Sequence, residues 1–237
     1  MRSNDERDRK AEHIRLSLDD RMQLHGHFFD DYHFEHEALP ELDLRDVEVS
    51  TRFLNKAVEA PLLISCMTGG TEDAVRINRH LAEAAEETGI ALGIGSQRKA
   101  LEDPSLAESF KVRQWAPTVP LLGNLGAVQL NYGYGLKECR AAVEMIEADA
   151  LVLHLNPLQE AIQPEGQCNF TDLISKIEQV VDGLEVPVIA KEVGSGISRG
   201  LATRLRDIGV KIVDTAGVGG TSWARIEGAR ANDAEIG

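Results

Sequence analysis

His154, Asn156, Gln159 and Glu160 stand close together directly after an apolar run, Ala150 to Leu153. They offer an imidazole, two amides and a carboxylate, a set able to move protons, orient a polar ligand and bind a hard cation. Pro157 stops a strand ladder between them. A fully buried strand that ends in clustered polar groups is how a parallel α/β sheet presents an active site. An ordinary polar strand end accounts for this stretch alone equally well. Recurrence of the pattern along the chain is what favours a site.

Other apolar runs end in other chemical tools. Thr68-Gly69-Gly70 lets backbone amides approach a ligand closely, because glycine has no Cβ in the way, although a lone Gly-Gly is more often a plain tight turn. Asn124, after Gly123, offers a donor and an acceptor. Lys191 closes an apolar strand, where an ammonium needs an anionic partner. Gly217-Val-Gly-Gly-Thr221-Ser resembles a phosphate-cradling loop. Together these suggest a flat, phosphate-bearing cofactor lying across several strand ends. Flavin mononucleotide (FMN) fits, with amides for the ring edge, a lysine for the N1/C2 carbonyl side and glycine-rich amides for the phosphate. Arg9, Lys10, His13, Gln97 and Arg98 suggest a second anion site, although Arg9-Lys10 alone reads more simply as a solvated tail. His25, His27, His33 and His36 lie among acids, but their spacings match no common zinc pattern. Phe28, Phe29, Tyr32 and Phe34 beside them read as packing residues of an arm.

The elements that must position these groups follow from hydrophobic periodicity. Strands are predicted at 61–65, 90–94, 119–124, 150–153, 186–191 and 210–214, and helices at 73–88, 105–115, 136–147, 170–182 and 198–208. The basic N-terminal stretch reads as helical, and 39–44 and 47–51 as short extended pieces. Six strands alternating with helices mean a parallel β/α array. Polar or glycine-rich residues after every strand favour a (β/α)8 barrel, whose site is assembled from all the βα loops, over a doubly wound sheet with one switch point. The expected organisation is an N-terminal arm over 1–60 and a barrel over 61–237, truncated after its sixth strand.

Composition narrows the function classes. The net charge of −14 disfavours nucleic acid and anionic membrane, so an anionic ligand needs a local positive cluster. With 43% apolar residues the chain can bury a sizeable core, yet no apolar run approaches the ~18–20 residues of a membrane span. Met1 to Lys10 is charged and lacks the apolar core of a secretion signal, so a cytoplasmic location is expected. Cys66, Cys139 and Cys168 have no metal or redox spacing and are expected as free thiols.

Seven stretches in order resemble the type 2 isopentenyl-diphosphate isomerases, flavin-dependent barrel enzymes. They are Arg9-Lys-Ala-Glu-His13, Ile64-Ser-Cys-Met-Thr-Gly-Gly70, Gly95-Ser-Gln-Arg98, Gly123-Asn-Leu-Gly126, His154-Leu-Asn-Pro-Leu-Gln-Glu160, Lys191-Glu-Val-Gly194 and Gly219-Gly-Thr-Ser-Trp223. The resemblance implies flavin contacts from Met67, Thr68, Gly69, Ser96, Asn124, Lys191 and Thr221. It implies substrate contacts from Arg9, Lys10, His13, Ser96, Gln97, Arg98 and Gln159, and a magnesium ligand in Glu160. His154, Asn156, Gln159 and Glu227 are implied as the catalytic group, with Trp223 and Glu227 as walls near the flavin. The implied reaction is the 1,3-proton shift between isopentenyl and dimethylallyl diphosphate. Reduced FMN would act as proton carrier and cation stabiliser, NADPH as reductant, and the assembly would be a homo-oligomer. Two rivals stay open: a flavin barrel that oxidises hydroxy acids, and an inactive fragment lacking the last two barrel units.

Overall fold

The computed structural model describes residues 2–26 and 28–231. The chain opens with α1 (Arg2–Ser17), the short strand β1 (Gln23–Leu24) and a hairpin of β2 (Thr51–Phe53) and β3 (Lys56–Val58). There follow β4 (Leu63–Ile64), α2 (Glu72–Thr88), β5 (Ala91–Gly93), α3 (Arg98–Glu102), β6 (Leu121–Gly126), α4 (Leu136–Ile146) and β7 (Ala150–Leu155). The last elements are α5 (Pro157–Ile162), α6 (Leu173–Gly183), β8 (Val188–Glu192), α7 (Arg199–Asp207), β9 (Ile212–Asp214), β10 (Gly220–Thr221) and α8 (Trp223–Arg230).

β4 to β9 form one parallel sheet in strict sequence order. Each right-handed crossover therefore advances the same way, which puts the crossover helices on one face and curls the sheet as a barrel does. A doubly wound sheet reverses its order at a switch point, and this sheet has no reversal. All six predicted strands are present, and among the described residues β4 and β9 each pair on one side only.

Alternation along the strands separates two environments. Leu121, Leu125, Leu151, Leu153, Val188 and Ala190 face outward into the core shared with the helices. Leu122, Ala150, Val152 and Ile189 face inward and meet Phe53 and Leu54 of the hairpin. Leu54 and Asn55 both have positive φ, as a two-residue hairpin turn with the right twist requires. Lys56 Nζ ties the hairpin to Asp149 at 2.8 Å, where Arg113 also binds. A cavity of about 400 Å³ lies inside the arc, bounded by Leu63 on one edge strand and Ile212 on the other.

Three local expectations change. The helix predicted at 105–115 is a 3-10 turn over Pro104–Ser109, followed by turns that bury Phe110, Val112 and Ala116. Asp103 caps that turn by accepting from the Ser105 amide, and Pro104 lacks the N–H that would continue α3. Of the extended pieces expected at 39–44 and 47–51, the first runs into a 3-10 turn at Leu44–Asp46 and the second ends at Thr51, where a hairpin opens that the sequence reading missed because Arg52, Asn55 and Lys56 blur the apolar alternation. Phe29, Tyr32 and Phe34 are not packed into the core: they are 74%, 63% and 98% exposed, with the Phe29 and Tyr32 rings meeting each other at 6.2 Å between centroids. His27 lies outside the described residues.

Candidate active site

The inward parity of three neighbouring strands delivers the central groups. Asn124, His154 and Lys191 each stand two residues beyond an inward apolar side chain, Leu122, Val152 and Ile189 respectively. The register sets His154 directly beside Lys191. His154 Nδ1 lies 2.9 Å from Asn124 Oδ1. An amide oxygen only accepts, so Nδ1 carries the proton and Nε2 is left with a lone pair. Burial, followed by the charges of Lys191 and Lys10, pushes His154 down to about 4. It is therefore a neutral imidazole at pH 7. Lys191, 6% exposed, donates to the Glu192 carbonyl at 2.7 Å. Its other N–H groups have no hydrogen-bond partner among the described residues and suit an electron-rich ligand edge.

α5 carries a second cluster, opened by Pro157 at its first turn, where a missing N–H costs nothing. Asn156 Nδ2 donates to Glu160 Oε1 at 3.0 Å and to Gln159 Oε1 at 3.2 Å. Gln159 Nε2 in turn donates to Glu227 Oε1 at 3.2 Å. A carboxylate at each end thus fixes which way both amides point. Asn156 Oδ1 is left buried without a partner among the described residues. Such an orphan acceptor costs stability unless a ligand supplies a donor or a cation. Glu227 is fully buried and also binds His13 Nε2 at 3.0 Å and Arg230 Nη1 at 2.5 Å. Burial acts to raise its carboxyl, but the contacts with His13, Arg230 and Gln159 hold it below the ordinary value.

α1 adds positive charge. Lys10 Nζ donates to the Gly69 carbonyl at 2.7 Å and sits 5.5 Å from the centre of the Phe110 ring. Burial first, then Arg9 and Arg98, lowers Lys10 to about 7. With Lys99 and Lys191, these residues make a cationic rim in an acidic protein. His13 stacks edge-on against Trp223, with ring centroids 5.1 Å apart.

One cavity of about 210 Å³ collects nearly every group singled out in the sequence. Thr68, Asn124 and Lys191 line it together with His154, Gln159 and Glu160. So do Arg9, Lys10, His13, Met67, Gly69, Ser96, Arg98, Asn156, Thr221 and Trp223. Two residues are not brought to its wall. Gln97, expected to touch substrate, is fully buried: its Nε2 donates to the Ala142 carbonyl at 2.7 Å and its Oε1 accepts from the Asn124 amide at 3.0 Å. Its place as the first residue before α3 turns it into the packing behind β6. Glu227, expected among the catalytic groups, stands behind Gln159. Of the predicted phosphate loop, Thr221 reaches the cavity, and Gly220–Thr221 pairs antiparallel with Gln23–Leu24. Sequence reasoning missed Lys99, Gln129 and Gln163 on the wall. Gln163 lies four residues after Gln159 and, with its amide turned to satisfy both neighbours, bridges Glu227 and Arg9. That spacing was its only signal. Lys99 had adjacency to Arg98, and Gln129 had none.

The fold and site define a parallel β/α protein of barrel winding, with an anion-binding, amide-rich cavity at the C-terminal ends of its strands. No family model matches the chain. Relatives named isopentenyl-diphosphate delta-isomerase match nearly all of it. The Nostoc protein is 53% identical over 228 residues, covering 95% of this chain and 65% of its own length. The Synechocystis protein is 52% identical over 227 residues, with the same two shares. The Rickettsia rickettsii protein is 50% identical over 227 residues, covering 95% of this chain and 66% of its own. The chain thus spans just under two thirds of the length of these curated relatives. Among solved structures, a mandelate oxidase mutant with a monooxide FMN adduct aligns at a TM-score of 0.49 and 16% identity, over 72% of this chain and 51% of that one. A C4a-OH-FMN adduct of the same mutant aligns at 0.48 and 16%, over 72% and 52%.

Proposed function

We propose that the chain carries the ligand-gripping part of a flavin-dependent isopentenyl-diphosphate isomerase, which moves a proton across three carbons to give dimethylallyl diphosphate. The observation that carries this reading is the meeting of the strand-end groups, the α5 cluster and the α1 cations in one cavity. The likeness to the named isomerases supports the choice of reaction.

Arg9, Lys10 and Arg98, with Ser96 and His13, bind the diphosphate, because only a local excess of positive charge draws that anion to an acidic chain. His154, neutral with its free Nε2 in the same cavity, orients the ligand by hydrogen bonding and carries no charge of its own. Glu160 is the ligand for magnesium. The unpaired Asn156 Oδ1 beside it is consistent with a hard cation or its bound water, and magnesium takes few protein ligands when phosphate and water complete its shell. The described residues contain no cluster of three or more His, Cys, Asp or Glu able to hold a metal alone.

FMN fits the strand-end groups of the same cavity. Among the described residues the amides of Thr68 and Gly69 have no acceptor, and Lys191 keeps N–H groups without a partner. Met67, Ser96, Asn124 and Thr221 complete that set. When bound and reduced, the flavin supplies an electron-rich face and an exchangeable proton at N5, without net redox change. Gln159, oriented by Glu227, and Asn156 hold the alkene end against those groups and exclude water. NADPH as reductant, a homo-oligomeric assembly, a cytoplasmic location and a division into arm 1–60 and incomplete barrel 61–237 belong to the same proposal.

The test incubates the purified protein with isopentenyl diphosphate, FMN, Mg2+ and NADPH in D2O and follows the products by NMR. Dimethylallyl diphosphate carrying deuterium supports the reading. A flavin-bound protein that gives no isomer but consumes oxygen with a 2-hydroxy acid refutes it.

A further inference from the structure

The loop Thr68-Gly69-Gly70 is held from behind by two residues outside every motif above, Asn78 on α2 and Ser109 at the end of the 3-10 turn. Both are 4% exposed. Asn78 Nδ2 donates to the Thr68 carbonyl at 3.3 Å and to the Ser109 carbonyl at 2.8 Å. Ser109 Oγ donates to the Leu106 carbonyl at 2.7 Å and accepts from the Gly70 amide at 2.9 Å. The Thr68 carbonyl also accepts from the Gly95 amide at 2.9 Å. Lys10 takes the Gly69 carbonyl. Behind the loop stands the buried Phe110 ring: a Cβ on Gly69 would lie 2.0 Å from it.

These contacts occupy the Thr68 and Gly69 carbonyls and the Gly70 amide. Among the described residues the amides of Thr68 and Gly69, which line the cavity, have no hydrogen-bond acceptor. A backbone turn with consecutive free N–H groups favours an electron-rich ligand edge, and its affinity depends on how firmly the turn is held. We propose that Asn78 and Ser109 are positioning residues, which act through this loop to keep the Thr68 and Gly69 amides presented to the cofactor. The inference rests on the flavin reading of this wall.

The test measures FMN affinity, by quenching of flavin fluorescence, for the protein and for Asn78→Ala, Ser109→Ala and Ser109→Thr. Thermal melting and hydrogen exchange at the Gly70 amide are followed alongside. Asn78→Ala and Ser109→Ala are expected to weaken FMN binding by about tenfold, the scale of one lost buried hydrogen bond. Exchange at Gly70 should rise in Ser109→Ala. Ser109→Thr, which keeps the hydroxyl, should restore both. A loss of packing alone would lower the melting temperature without this rescue. Should Asn78→Ala fail to fold, the serine pair decides the matter by itself. Alanine variants that bind FMN as tightly as the unaltered protein, or a threonine variant as weak as the alanine one, overturn the inference and leave the flavin reading standing. An unaltered protein that binds no FMN overturns both, while the Gly70 exchange still reports whether Ser109 holds the loop.

Discussion

The cavity draws its groups from two regions held in different ways. Asn124, His154 and Lys191 grow from strands paired on both sides, β6, β7 and β8, and the inward residues preceding them are buried. Arg9, Lys10 and His13 sit on α1, which is tied down by side chains: Lys10 to Gly69, His13 to Glu227, Arg9 to Glu165, and Arg230 to Glu12. A strand end is fixed by its whole ladder, whereas each side-chain tie contributes only about 0.5–1.5 kcal/mol, or up to ~3 where charged. On the proposed function, the strands would preorganise the groups around the reacting centre and the helix would supply charge to the anion.

If that division holds, the largest losses come from the strand ends. Lys191→Ala should lower turnover about a hundredfold to a thousandfold, the scale of removing one preorganised donor, in a steady-state isomerisation assay. A small change would place the strand end outside the chemistry. Next, Gln159→Ala should lower turnover about tenfold to a hundredfold with FMN still bound, through misplacement of the reacting end. Unchanged turnover removes that residue from the alkene.

Glu160→Gln is expected to weaken Mg2+-dependent substrate binding by about tenfold to a hundredfold while FMN affinity stays the same, both readable by titration. Equal loss of both contradicts the division between metal and flavin walls. On α1, Lys10 titrates at about 7 because burial and its cationic neighbours disfavour the ammonium. Its charge is present below that pH and fades above it, so diphosphate affinity should fall as pH rises from about 6 to 8. Lys10→Ala should flatten that profile and weaken binding by about tenfold. A profile unchanged in the variant assigns the titration elsewhere. The smallest effect is expected far from the cavity. Lys56→Ala breaks a partly exposed tie to Asp149 and should cost about 1 kcal/mol or less in thermal melting, with activity intact.

Much of this arrangement could be read from the chain. Alternation about Leu122, Val152 and Ile189 foretells which way Asn124, His154 and Lys191 face, because a strand has a period of two and one buried face settles the rest. Arg9, Lys10 and Glu160, singled out by residue type and given roles by the motif resemblance, line the same cavity. Where periodicity stops, legibility stops with it. Gln97 stands in the turn before α3, where one rotation of the backbone separates the cavity from the packing behind β6. The hairpin β2–β3 is stabilised by what it plugs, not by its own pattern.

The sequence by itself determined the parallel array and the polar character of its strand ends, because hydrophobic period and strand parity are local properties of the chain. Only the tertiary structure decided that Gln159 is oriented by Glu227, that Gln163 joins Glu227 to Arg9, and that Asn78 and Ser109 stand behind the Thr68 loop. Those are hydrogen bonds between side chains or turns far apart in sequence, and their partners are set by how helices pack rather than by any spacing along the chain.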